Sequence, residues 1–62
     1  MRMECKLINH IYLGNHNKNH YQLLITGRVN PVTFIDKQHA IDYMNTRFPA
    51  GYIMTLERKY HS

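Results

Sequence analysis

Carboxylates are scarce in this chain: four aspartates and glutamates stand against eight lysines and arginines among 62 residues. Glu4, Asp36, Asp42 and Glu57 offer little for a paired-carboxylate acid–base site, and Asp36 is already accounted for as a helix cap. Cysteine is reduced to Cys5, so no internal disulfide forms and a reducing, intracellular setting follows. Neither CxxC nor HExxH occurs, and His16 and His20 lie four apart in an asparagine-rich loop, so no metal and no cofactor is expected. Gly14, Gly27 and Gly51 are isolated, which excludes a phosphate-cradling glycine loop. Nucleophilic chemistry has only Cys5, on an apolar strand face, and Ser62 to draw on, each without an evident base and orienting group. No apolar run approaches the about 18 residues that cross a bilayer, and the opening MRMECKLINH has no signal-peptide core. The expectation is a non-enzymatic cytoplasmic protein, a single domain over 1–62, with no membrane partner.

What is present is a clear alternation of patterns. Met3, Cys5, Leu7, Ile11 and Leu13 share one side of a period-two segment, with Asn9 the exception, while Glu4, Lys6, Ile8, His10 and Tyr12 share the other. That predicts a strand over 3–13. The polar stretch Gly14 to His20 reads as a hairpin loop. A second strand is predicted over 21–29, with Tyr21, Leu23 and Ile25 on one face and a bulge at Gly27. Asn30-Pro31 ends it, and Val32-Thr33-Phe34 is able to resume extended pairing after the kink. Asp36 is placed to cap a helix whose apolar face is Ala40, Ile41, Met44 and Phe48. Pro49 stops that helix, Gly51 serves the reversal, and 52–60 alternates again as a last strand.

The predicted fold is a small α+β domain, β-β-α-β, with a three-stranded antiparallel sheet in the order 2-1-3 and one helix on one face. In this arrangement Met3, Cys5, Leu7, Leu23, Ile25, Met54 and Leu56 meet the helix. A domain of this size buries only about 60% of its unfolded surface and benefits from a partner. The uncovered face would carry Ile8, Tyr12, Leu24 and Ile53, a contiguous apolar group that suggests a contact surface. With the basic end of the last strand, the expected protein-binding set is Ile8, Tyr12, Leu24, Ile53, Arg58 and Lys59. Two other uses of the surface compete. One is a homodimer that buries the second sheet face. The other is a nucleic-acid-binding module using Lys6, Tyr12, Lys18, Arg28 and Lys59, in line with the formal charge of +4 and the five tyrosines.

The segment HAIDYMNTRFPAGYIMTLER, residues 39–58, resembles the equivalent part of the small T7-type phage inhibitors of bacterial RNA polymerase. Ala40, Ile41 and Asp42 match the family's helix, Pro49, Ala50, Gly51 and Tyr52 its turn, and Thr55 its following strand. The resemblance covers about a third of the chain and implies a β-β-α-β architecture. The family grips polymerase with two arginines, two apart, on the last strand; the second falls on Arg58, whereas Leu56 stands at the first. The resemblance thus implies a phage-type protein that acts on a host machine, RNA polymerase or a nuclease-based defence complex, by occupying a surface in the host cytoplasm.

Overall fold

Alternating apolar residues become strands because each residue turns its side chain to the opposite sheet face from its neighbours. The computed structural model, which describes residues 2–62, forms β1 (Met3–Tyr12), β2 (His20–Ile25), β3 (Val32–Phe34), α1 (Lys37–Arg47) and β4 (Tyr52–His61), with a short 3-10 turn at His16–Lys18 between β1 and β2. The strands make one mixed sheet in the order β3-β2-β1-β4. β1 and β2 are antiparallel, with Leu7 opposite Leu23, and β2 and β3 are antiparallel, with Leu23 opposite Val32. β1 and β4 are parallel along their whole length, from Met3 beside Tyr52 to Tyr12 beside His61.

Three expectations about the sheet are corrected here. There are four strands, because Val32 and Phe34 lay their side chains on the apolar core and pair with Leu23 and Tyr21. The sheet is mixed, because β3 reverses the chain once more, so that a single helical return delivers β4 parallel to β1. The order is accordingly β3-β2-β1-β4, with β3 added outside the expected 2-1-3 arrangement, whose third strand is β4. The second strand also ends at Ile25, short of Val29. Gly27 is no bulge: the Arg28 amide donates to the Ile25 carbonyl over 2.9 Å, and Gly27 takes φ +89° within that turn. The loop between the first strands contains the 3-10 turn and is tied to β1 by Asn19 Oδ1, which accepts from the Tyr12 amide at 2.7 Å.

The helix begins where expected. The Asp36 carboxylate accepts from the Gln38 amide at 3.1 Å, which satisfies one of the free amides of the first turn. It ends at Arg47, and the reversal Phe48–Gly51 is closed by the Gly51 amide donating to the Phe48 carbonyl over 3.0 Å. Ala40 and Met44 are fully buried against Cys5, Leu7, Leu23 and Ile25. Tyr43 fastens the helix flank: its ring meets Phe34 edge-on at 5.5 Å, Arg47 lies over it at 4.6 Å, and its hydroxyl accepts from Arg28 at 2.7 Å. Tyr52 donates its hydroxyl to Asn45 Oδ1 at 2.7 Å and joins the start of β4 to the helix.

Lengths then decide what stays open. Eleven helical residues span about 16 Å at 1.5 Å each. Ten strand residues in β1 and in β4 reach about 33 Å at 3.3 Å each. Helix α1 runs from the middle of the sheet back to the Met3 end, so the other half of the β1–β4 ribbon projects beyond it. The molecule is correspondingly elongated, 41 × 17 × 17 Å.

Candidate functional site

The projecting half of the ribbon has two faces, and the register fixes which residues each presents. On the helix side lie Asn9 and Ile11 of β1, Tyr21 of β2, and Leu56, Arg58 and Tyr60 of β4. Leu56 and Tyr60 are each 59% exposed. The expectation that Leu56 packs under the helix is therefore corrected: the helix starts at Lys37 and leads away from it. An open groove of about 450 Å³ occupies this shelf, with Leu7, Tyr21 and Leu56 as its apolar walls and Asn9, Lys37, Glu57 and Arg58 as its polar and charged lining. Among the described residues the one ion pair is Lys6–Glu57 at 3.4 Å, on the opposite face, so neither groove cation is neutralised within the fold.

Along this shelf β4 is the outer strand of the sheet. Its ten residues pair with β1 on one side only. The backbone amides and carbonyls of its other side are free to pair with an added strand. No proline interrupts it. Glu57, Arg58 and Lys59 are the charges of this open edge, Arg58 on the helix side and Glu57 and Lys59 on the other face.

The rear face differs from the expected apolar group. Ile8, Leu24 and Ile53 do share it, but Lys6 stands between Leu24 and Thr55, and Glu4 stands beside Ile53. Ile8 is half-buried, Leu24 is 39% exposed and Ile53 49%. Charged and polar neighbours thus break the group into separate apolar points, and the contiguous patch is corrected to a chequerboard. Tyr12 and Lys59 lie at the far end of this face, while Arg58 projects from the other side.

The residues expected for nucleic-acid contact are brought together only in part. Tyr12, Lys18 and Lys59 gather at the far end, with the Lys18 ammonium 5.9 Å from the Tyr12 ring centre. Lys6 is paired with Glu57, and Arg28 lies on the helix side in contact with Tyr43.

What reasoning from sequence missed is a ring cluster around Tyr12. His10 stacks on His20 at 4.7 Å and on His61 at 5.1 Å; Tyr12 stacks on His61 at 4.3 Å and on His20 at 5.8 Å. Strand spacing of about 4.8 Å suits such stacking across neighbours. His10 is only 7% exposed, and its ring is bonded to Gln22 and His61. The available signal is the i, i+2 spacing of His10 and Tyr12 on the first strand; the polar stretch reads as a loop through His20, whereas His20 opens β2. Among the described residues no group of three or more histidine, cysteine or acidic side chains is placed to hold a metal ion. Burial pushes the Cys5 thiol upward, which keeps it protonated within the core.

Compared with family models, curated proteins and solved structures, the chain matches none of them. The fold is that of a small α+β domain with one helix on a four-stranded mixed sheet. No helix of the described residues is long and apolar enough to cross a membrane.

Proposed function

We propose that the protein is a non-enzymatic binder that inhibits a larger protein machine by covering part of its surface. The observation that carries this reading is the open outer side of β4 together with the shelf of Leu56, Arg58 and Tyr60 beside it. An added strand would satisfy the free backbone groups of β4, and the shelf would receive side chains from the same partner. The partial resemblance of residues 39–58 to phage inhibitors of RNA polymerase directs the choice of target. Host RNA polymerase comes first and a nuclease-based defence complex second, with the protein acting in the host cytoplasm. The contact set favoured by this geometry moves from Ile8, Leu24 and Ile53 toward Leu56, Arg58 and Tyr60, and it retains Lys59 at the far end.

Binding of the purified protein to purified bacterial RNA polymerase, measured by biolayer interferometry, tests the reading. Expected is a complex with Kd of about 1 μM or tighter, weakened at least about tenfold by Leu56→Asp combined with Arg58→Glu. Absence of binding removes polymerase as the target. Undiminished binding by the double variant removes the β4 shelf as the contact.

A nucleic-acid module is the second reading, favoured by the meeting of Tyr12, Lys18 and Lys59. It is the weaker one, because both faces of the Tyr12 ring are engaged by His20 and His61 and are not free to take a base. Salt-sensitive binding of labelled single-stranded oligonucleotides, lost in Lys18→Glu with Lys59→Glu, would reverse that ranking.

A further inference from the structure

The hydrogen bonds of the ring cluster locate its protons. A backbone carbonyl only accepts, so His20 donates to Lys18 through Nδ1 over 2.8 Å and keeps Nε2 as a lone pair. The Gln22 amide oxygen also only accepts, so His10 carries its hydrogen on Nε2, 2.5 Å away. His10 Nδ1 is then a bare acceptor, and His61 donates Nε2–H to it across 2.9 Å. The network is complete with all three rings neutral.

One added proton is accommodated. It enters the free Nδ1 of His61 and turns the His61–His10 bond into a charge-assisted one. A second is not accommodated within the pair. On His10 it occupies Nδ1, which then faces the Nε2–H of His61 donor to donor. On His20 it places a cation in the ring stacked 4.7 Å from His10. Among the described residues no carboxylate is paired with the stack. β1 contributes His10 and the neutral Tyr12 phenol, β2 contributes His20, β4 contributes His61 and Lys59, and the 3-10 turn contributes Lys18. The nearest carboxylate along β4 on this face, Glu57, is tied to Lys6.

We propose that the His10–His20–His61 stack is an acid-released clasp: when neutral it fastens the end of β4 to β1 and β2, and when multiply protonated it frees that end from the sheet. It would shorten the paired length of the outer strand, and it stands whether or not β4 is the docking edge. The sign is set by His61. Removal from water, then positive charge on His10, Lys59 and His20, hold its pKa below the usual histidine range, so the proton the folded stack resists is the one that makes more than one ring cationic. The unfolded chain, titrating near 6.5, therefore takes up this proton first. The stabilisation is fully present above about pH 6.5 and is lost as pH falls through the lowered folded value.

Amide hydrogen exchange by NMR reads the clasp, because the Leu13 amide donates to the His61 carbonyl over 2.8 Å. Corrected for intrinsic rates, Leu13 protection is expected to fall between about pH 7.5 and pH 5. Amides around Leu7 and Leu23 should keep theirs. His61→Gln, whose amide can place an N–H near the former Nε2 but does not titrate, should abolish the response. His16→Gln, a loop residue outside the stack, should retain it. Unchanged Leu13 protection, an equal loss throughout the sheet, or a response that survives His61→Gln overturns the proposal. Imidazole ¹⁵N shifts of the natural chain add a test that needs no variant: protons on His20 Nδ1 and His10 Nε2 are expected, and the opposite tautomers overturn it.

Discussion

Leu7 and Leu56 are side-by-side partners on the helix-facing side of β1 and β4, yet their truncation should have very different effects. Leu7 is 1% exposed and closes the core with Leu23 and Met44. Leu7→Ala removes apolar contact and leaves a cavity, at a cost of about 2–5 kcal/mol. Leu56 is 59% exposed, so about two-fifths of it is withdrawn from water. Full burial of a leucine is worth about 1.5–3 kcal/mol, so Leu56→Ala should cost about 1 kcal/mol or less, with no cavity. A domain of this size holds about 3–9 kcal/mol in all, at about 0.05–0.15 kcal/mol per residue. Urea unfolding followed by circular dichroism separates the two variants. With a slope of about 1 kcal/mol per molar urea, the midpoint should fall by about 1 M or less for Leu56→Ala and by about 2 M or more for Leu7→Ala. Equal losses would refute the reasoning, because they would mean that the helix, or another part of the chain, covers the projecting half of the ribbon.

Two further substitutions test local geometry. Gly51 has φ +116°, a conformation that side-chain-bearing residues rarely adopt, and no heavy atom lies within 4 Å of where a Cβ would stand. Gly51→Ala should destabilise by about 1–3 kcal/mol through backbone strain alone, visible as a lowered urea midpoint. Asp36→Ala removes the acceptor of the Gln38 amide and should cost about 1 kcal/mol; Asp36→Ser, which restores an N-cap acceptor, should recover most of it in the same assay.

Legibility followed the range of the interactions involved. The Asp36 cap, the stop at Pro49 and the alternation of Met3–Tyr12 depend on neighbours within a few residues, and all could be read from the chain. The short strand Val32–Phe34 could not be fixed that way: three residues carry too little periodic signal, and what makes them a strand is distant pairing with Leu23 and Tyr21. Missing that strand also removed one reversal of direction, which is why β4 was expected antiparallel to β1. The error at Leu56 had a different source. Alternation told which face Leu56 takes but not how far the helix reaches along that face. The histidine stack was hidden because its three members come from three strands and are joined only by register. Ile8, Leu24 and Ile53 were assigned to the correct face, but their separation by Lys6 and Glu4 becomes visible only across strands.

The parallel pairing of the first and last strands also bears on how the chain finds its structure. Met3 and Tyr52 must meet although about fifty residues separate them, and closing so long a loop slows the search. During synthesis the opening hairpin leaves the ribosome with one flank of its inner strand unoccupied, and it stays so until the final segment arrives. Assembly should therefore be completed late and at a single step, with the helix delivering the missing neighbour to a template already laid down.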